Sequence, residues 1–463
     1  MTVLQQTNIQ WDTDLIRRYD LAGPRYTSYP TALQFTDTPD SVTTLSKAIS
    51  ERDSKKPLSL YLHIPFCAHV CYYCGCNKVV TKDRSRAEPY LQTLLKEIKL
   101  RSEELGNDVQ VDQLHWGGGT PTFIDDEQTT RLMQTLKEAF KLRDDDQGDY
   151  AIEIDPREMT PSRLKLLREL GFNRISIGVQ DVNEAVQIKV NRVQSLEMTT
   201  DLLKEARQLG FRSINVDLIY GLPLQTEESF AETLDRILEL RPDRLSVFNY
   251  AHLPERFKPQ RRINADELPD ALTKLAIHHQ SIEKLTAAGY RNIGMDHFAL
   301  PDDTLTQHQD DGTLHRNFQG YTTHSQCDLI GLGVSSISQI GDYYLQNSPN
   351  IERYTQGIES QGSALTKEYC LNEDDKIRRA VITRLICDFQ LDFADQSKTL
   401  NIDFKAYFAN ELKLLEPMAQ DGLIHLSDAG MDVTAAGRLL IRRICMTFDA
   451  YIDHTEQRFS KII

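Results

Sequence analysis

Between about residues 57 and 250 the chain alternates short apolar or β-branched runs with helix-length segments rich in Leu, Glu, Lys and Arg, and this alternation leaves few folds open. The strand-like runs are Leu58–Ile64, Val111–Trp116, Tyr150–Ile154, Arg174–Val179, Ser213–Tyr220 and Arg244–Tyr250. Between them the pattern predicts helices over Tyr90–Leu105, Glu127–Leu142, Ser162–Leu170, Met198–Leu209 and Ser229–Leu240. Thr160 reads as an N-cap with Pro161 at the first helical position, and Gly171 and Gly210 as C-cap residues. Strand–helix–strand repetition of this kind argues for parallel βα units. Six units are too few to close an eight-stranded barrel, so a partial (β/α)6 TIM-like barrel is the best fit. An open, doubly wound α/β sheet is the alternative. In either architecture ligands gather at the carboxyl ends of the strands.

The flanks differ in character. Residues 1–50 are expected to form an N-terminal arm over the barrel mouth, and the barrel itself is expected over 51–265. A barrel-completing and connecting segment follows over 266–365: Ala271–Ala288 reads as a long helix, Asp302–Gly312 as an acidic polar loop, and Asp328–Ile340 as a return to the core. Residues 366–463 are mostly helical, with a hairpin over Leu423–Thr434 before a final helix, Ala435–Thr447, in a winged-helix-like layout. The formal net charge of −15 repels nucleic acid and anionic lipid. That layout is therefore read as a packing module. The basic run Lys258–Arg262 is too short to overcome this acidic balance, though it suits a small polycarboxylate. No run of about 18 apolar residues occurs, and the first twenty residues lack an apolar leader. The expected address is the cytoplasm and the expected state a monomer.

Four of the eight cysteines fall within ten residues, at 67, 71, 74 and 76. In a chain without a leader such a cluster points to metal or redox chemistry rather than a disulfide framework. Cys387 and Cys445 lie in apolar helical runs and read as core. The spacing C-x3-C-x2-C directly after a strand wraps three thiolates around one centre, and soft thiolates select an iron–sulfur cluster or zinc. A structural zinc site wants four ligands, usually as two separated pairs. Cys76 is an awkward fourth ligand, and His69 reads as a solvated or packing residue. Three cysteines on a four-iron cluster leave one iron open.

Other chemistry-bearing residues sit at the strand ends. Gly117-Gly118-Gly119-Thr120 follows the second strand, where consecutive glycines allow close backbone approach and offer N–H groups to a carboxylate. Glu153, Gln180 and Asp217 end or nearly end the third, fourth and fifth strands, and Arg192 suits a ligand carboxylate. Singly, each is as well explained by an internal ion pair; together at one rim they favour binding. Arg25 and Tyr26 precede the barrel, in a segment that is as readily a plain surface stretch as an arm that would help sequester a reactive centre, and Arg316 is a candidate cation for substrate carboxylates.

The cysteine spacing, with an aromatic Tyr73 before the last cysteine, resembles the signature of the radical S-adenosylmethionine (SAM) superfamily. Within it the chain is similar to the oxygen-independent coproporphyrinogen III oxidases. The likeness rests on Gly23–Pro30 (GPRYTSYP), the Cys-Gly-Cys ending at Cys76, Trp116–Thr122 (WGGGTPT), Glu153–Arg157 (EIDPR) and Gly178–Asp181 (GVQD). It extends through Asp217–Pro223 (DLIYGLP), Phe248–His252 (FNYAH), His315–Tyr321 (HRNFQGY) and the final GRLLIRRICMTFD, so it covers nearly the whole chain. The resemblance implies a [4Fe-4S] cluster on Cys67, Cys71 and Cys74 and S-adenosylmethionine, two molecules of it. Tyr61, Tyr73, Gly118, Gly119, Thr120, Glu153, Gln180, Arg192, Asp217, Ala251 and Ile337 would contact that cosubstrate. It implies a 5′-deoxyadenosyl radical that takes a hydrogen from a substrate propionate. Loss of carbon dioxide and an electron then gives a vinyl group, twice, converting coproporphyrinogen III to protoporphyrinogen IX in haem biosynthesis. No residue is given an acid–base role, and the electron donor and acceptor stay unidentified.

Two other classes compete. Relatives that carry haem as chaperones share the fold but tend to lack a cysteine at the position of Cys76 and the segment matching Pro24–Pro30, both present here. A zinc-stabilised binding module is disfavoured by the single compact cluster.

Overall fold

A computed structural model describes residues 10–19, 21, 23–106 and 108–452. The first nine residues, part of the stretch read as leaderless, lie outside them. Six strands occur where the alternation predicts them: β1 (Leu58–Ile64), β2 (Gln110–Gly118), β3 (Asp149–Ile154), β4 (Arg174–Gln180), β5 (Ser213–Tyr220) and β6 (Arg244–Asn249). Helices α1 (Ala87–Leu105), α2 (Asp126–Ala139), α3 (Pro161–Leu170), α4 (Leu196–Gln208) and α5 (Glu227–Leu240) alternate with them. Local chemistry sets their limits. The Thr160 hydroxyl accepts from Arg163 N and Pro161 opens α3, while Gly171 closes it at φ 113°, a conformation open to glycine. Gly210, also left-handed, sits one residue beyond the α4 cap, Leu209.

The strands pair in chain order, β1-β2-β3-β4-β5-β6, each parallel to the next. A doubly wound sheet reverses its order at a switch point. This one does not, so the partial barrel is the architecture. A seventh parallel strand, β7 (Asp328–Leu332), lies on the outer side of β1, and Ile337–Ile340, Tyr343–Asn347, Leu365–Cys370 and Thr36–Asp37 extend the sheet antiparallel beyond it. The expected return of Asp328–Ile340 to the core thus takes the form of two strands.

Right-handed crossovers in one direction put every helix on the same face of the sheet. The period of two then sorts side chains: Ile152, Ile154, Ile175, Ile177, Ile214, Val216 and Leu218 are buried at 4% exposure or less, while Glu153, Ser176, Gly178, Gln180, Asn215 and Asp217 occupy the alternate positions. Register lines these up, Glu153 beside Ser176 beside Asn215 and Gly178 beside Asp217.

The chain forms two compact units that are not consecutive stretches: Phe35–Asp270 with Gln326–Cys370, and Met1–Gln34 with Ala271–Ser325 and Leu371–Ile463. The linear boundaries at 50, 265 and 365 give way to this interleaving, because β7 and the strands after it belong to the barrel sheet. In the second unit, Ala271–Ala287 is helical as expected. Asp302–Gly312 is not all loop: Asp303 caps a helix over Thr304–Asp310, its carboxylate accepting from Leu305 N. The hairpin strands Ile424–Leu426 and Gly430–Val433 pair as predicted, with Gln390–Asp392 on the other side. The final helix breaks at Leu440 into Ala435–Leu439 and Ile441–Met446. Cys387 and Cys445 are fully buried in this unit's core with Phe404, Phe408 and Leu415. No helix among the described residues is long and apolar enough to cross a membrane.

Leu60 is fully buried in β1, flanked by β2 and β7. Leu60→Ala is expected to cost about 2–5 kcal/mol, as for other large-to-small core changes. Equilibrium denaturation followed by far-UV circular dichroism checks this, the midpoint falling relative to wild type.

Candidate active site

β1 ends at Ile64, and the chain then makes an excursion that begins and ends in one short parallel pair, Phe66–Cys67 against Val79–Val80. Val79 N donates to Pro65 O at 2.6 Å and Thr81 N to Cys67 O at 2.9 Å, closing its base. Within it Cys74 N donates to Cys71 O at 3.3 Å and Tyr72 N to Val190 O at 3.0 Å, while Gln260 Nε2 donates to Tyr73 O at 2.8 Å. Cys67 and Cys71 are buried, Cys74 partly so, and Cys76 is exposed. Their sulfurs have distinct neighbours. The Thr120 hydroxyl lies 3.5 Å from Cys67 Sγ, the Cys76 amide 3.4 Å from Cys74 Sγ, and Arg192 Nη1 3.4 Å from Cys71 Sγ. His69 hydrogen-bonds Glu158, at 3.1 Å.

The glycine run docks this excursion on β2. Gly119 N donates to Ile64 O and Thr120 N to Phe66 O, both at 2.8 Å. A Cβ on Gly119 would lie 2.8 Å from Phe66 O, one on Gly118 2.7 Å from the His63 ring and one on Gly117 2.7 Å from Glu153 Oε1. The glycines are therefore required by contacts within the protein. The expectation that this run offers its N–H groups to a ligand carboxylate is corrected for three of them: Gly119 N and Thr120 N are spent on backbone carbonyls, and Gly118 N donates to Glu153 Oε2 at 3.3 Å.

The Glu153 side chain is 42% exposed and turned into the cleft, with His115 Nε2 3.2 Å from Oε1. Asp217 is held by the Ser176 hydroxyl at 2.9 Å and Asn215 Nδ2 at 2.8 Å, and burial pushes its carboxyl above the usual range. Gln180 adopts φ 72° at a register shift after Gly178, so β4 ends in a bulge. Arg192 donates to Gly178 O at 2.5 Å and to Asp155 Oδ2 at 3.2 Å, leaving its buried Nε without a partner.

One cleft is lined by Cys67, Cys71, Cys74, Tyr73, Gly118, Gly119, Thr120, Glu153, Gln180, Arg192 and Asp217. Tyr61, Ala251 and Ile337 are outside that lining. The Tyr61 ring stacks on His115 at 5.9 Å with its hydroxyl 3.2 Å from His63 Nδ1, Ala251 O accepts from Gln260 Nε2 at 3.2 Å, and Ile337 opens the strand next to β7. In the other unit Arg25 ion-pairs with Asp296 and the Tyr26 hydroxyl donates to Asp449 at 2.9 Å. Arg316 there is buried, its guanidinium 4.6 Å over the Tyr321 ring, with Nε and Nη1 unpartnered.

Sequence reasoning missed His63, His115, Asp155 and Arg157. The two histidines were findable, because Tyr61 and His63 share a face of β1, and His115 lies opposite Tyr61 on β2. Asp155 and Arg157 stand out in the sequence only as members of the EIDPR motif.

A model of the radical SAM superfamily matches residues 61–237 and one of the HemN C-terminal domain matches 371–440. A Pseudomonas aeruginosa protein named oxygen-independent coproporphyrinogen III oxidase is 57% identical over 98% of this chain and 99% of its own length. An Escherichia coli protein of the same name is 52% identical over 98% and 99%. The solved structure titled as coproporphyrinogen III oxidase from Escherichia coli, a radical SAM enzyme, superposes with a TM-score of 0.92 at 51% identity, covering 96% of this chain and all of that one.

The hydrogen bond from Cys76, aided by Lys78, pushes the Cys74 thiol down to about 5, whereas burial pushes Cys67 up to about 11. A lowered pKa means thiolate persists as pH falls. In reduced, chelator-treated protein, iodoacetamide should label the hydrogen-bonded Cys74–Cys76 pair at lower pH than it labels Cys67. Peptide mass spectrometry reads both; labelling of the pair only at the pH that Cys67 needs contradicts this assignment.

Proposed function

The chain belongs to the oxygen-independent coproporphyrinogen III oxidase family of the radical SAM superfamily, and from that membership we propose that its cleft carries out the oxidative decarboxylation of two propionates of coproporphyrinogen III to vinyl groups. The observation that carries the reading is the convergence in one cleft of three thiols with an acid, an amide and a buried carboxylate from successive strands and an arginine from the segment after the fourth. The donor set fits the groups the family uses. Three soft thiols on one excursion suit iron, and the exposed Glu153 and the partnerless Nε of Arg192 suit the charged ends of an amino-acid cosubstrate.

Cys67, Cys71 and Cys74 would hold a [4Fe-4S] cluster that, with S-adenosylmethionine, supplies one-electron cleavage of a sulfonium and thereby hydrogen abstraction from substrate. The protein's share is orientation and exclusion of water. Glu153, fixed by His115 and Gly118 N, presents an anionic edge for an ammonium or ribose hydroxyl. Asp217, braced by Ser176 and Asn215, offers a second acceptor, and the bulge after Gly178 turns the Gln180 amide into the same space. Tyr61, Tyr73, Gly118, Gly119, Thr120, Arg192, Ala251 and Ile337 complete the cosubstrate contacts. Tyr61, Ala251 and Ile337 lie beyond the lining that holds the others, and the proposal of two S-adenosylmethionines rests on the family resemblance. The unpartnered nitrogens of Arg316 suit a substrate propionate. We assign the enzyme to the cytoplasm as a monomer served by an external electron donor and acceptor.

Anaerobic turnover of coproporphyrinogen III, with carbon dioxide, 5′-deoxyadenosine and vinyl product measured, tests the reading. Wild type should yield all three, and Cys71→Ser should lose at least a hundredfold of the rate along with bound iron. Equal vinyl formation by the mutant would falsify the mechanism.

A further inference from the structure

Of the segment Glu153-Ile-Asp-Pro-Arg157, the proposed chemistry uses only the glutamate. The other two charged residues are placed with equal care. Asp155 follows β3 and caps the short turn Pro156–Glu158, its Oδ1 accepting from Arg157 N. The same carboxylate holds the Arg157 guanidinium two-pronged, Nε to Oδ1 at 3.0 Å and Nη2 to Oδ2 at 2.6 Å, and takes Arg192 Nη1 at 3.2 Å. The three side chains are 7–12% exposed. Both guanidiniums reach the sulfur of Cys71, Arg192 at 3.4 Å and Arg157 at 3.8 Å. Among the described residues neither Cys67 nor Cys74 receives a guanidinium: Cys67 has the Thr120 hydroxyl, and Cys74 has the Cys76 amide and the Lys78 ammonium.

Two cations and one anion leave a net positive charge beside a single thiol in a water-poor cleft, where charge acts strongly. Two like charges do not share one sulfur unaided. Asp155 supplies the opposite charge that keeps both there, and its carboxyl is held down at about 2 against the upward pull of burial, by Arg192 and Arg157. Donors to cluster sulfurs and nearby charge set a cluster's reduction potential, because the reduced form carries one more negative charge. Arg192 and Arg157 both line the cleft, but Arg157 is tied to Asp155 by two bonds and Arg192 by one.

We infer that Arg157, clamped by Asp155 against Cys71 Sγ, is a positioning residue that raises the reduction potential of the cluster, an inference resting on the function proposed above. The step it assists is the arrival of one electron from a low-potential donor, which is oxidised by one electron as the cluster is reduced by one. No bond is made or broken at Arg157 and no proton moves there.

The test is a dye-mediated redox titration followed by electron paramagnetic resonance on anaerobically reconstituted full-length protein, with dithionite as reductant and iron and sulfide assayed in each sample. Arg157→Gln and Arg157→Met should load iron as wild type does and titrate at more negative potential. The reduced-to-oxidised ratio at a fixed poise should fall about tenfold, about 59 mV for a one-electron couple. Arg157→Lys, which keeps a cation on a shorter reach, should fall between. A neutral variant that loads iron and titrates with wild type overturns the inference, as does failure of both neutral variants to load, since the residue then serves assembly. Wild-type protein that takes up no iron would instead sink the proposed function, a result the iron assay separates from the first.

Discussion

The contact between the cysteine excursion and the end of β2 is what the rest of the site depends on. Gly119 N to Ile64 O and Thr120 N to Phe66 O are two ordinary backbone hydrogen bonds, yet they hold the segment leaving β1 against the neighbouring strand's last residues. Three successive positions there have no room for a Cβ: Gly117 is filled by Glu153, Gly118 by His63 and Gly119 by Phe66. The thiols, the acid on β3 and the histidine on β1 are thereby held in one place by a single run of glycines. An alanine at any of the three forces a neighbour to move, and at Gly119 that neighbour is backbone.

Around that contact the sheet does the sorting. Parallel strands in chain order, with all crossovers on one side, leave the alternate positions of β3, β4 and β5 free to carry polar groups. Glu153, Ser176 and Asn215 stand in register across three strands, and Asp217 follows one step on. The polar row is stabilised internally: Asn215 bonds both Ser176 and Asp217, so the buried carboxylate has partners before any ligand arrives. The charge arrangement at Cys71 follows the same economy, one aspartate serving two arginines.

Much of this was legible in the sequence, for identifiable reasons. β1, β4 and β5 fall within a residue of the predicted runs because their alternation is clean and glycine, proline or polar clusters bound them. The cysteine spacing and the strand-end acids were readable because they depart from the apolar pattern around them. What escaped was long-range. β7 begins at Asp328 and pairs with β1 from Leu58, a partnership across the chain that local periodicity does not encode. The glycine run is conspicuous in the sequence but points there to the wrong contact, since its neighbours His63, Phe66 and Glu153 come from other parts of the chain. Asp303 rescues a helix from a stretch whose acidic, polar composition resembles a loop. The exposure of Glu153 depends on which way a strand faces at its last turn, and the alternation gives two choices without deciding between them.

The interleaving of the two compact units carries a consequence for how the chain is made. The outer edge of β1 is covered by β7, and β7 begins at Asp328. During synthesis the first six strands, complete at Asn249, emerge well before that neighbour does. The barrel unit therefore waits with an open, apolar strand edge while the intervening chain is still being translated. Unpaired edges of this sort invite association with other chains. The strand edge of β1 that β7 covers thus has no partner in the chain until Leu332 has been made.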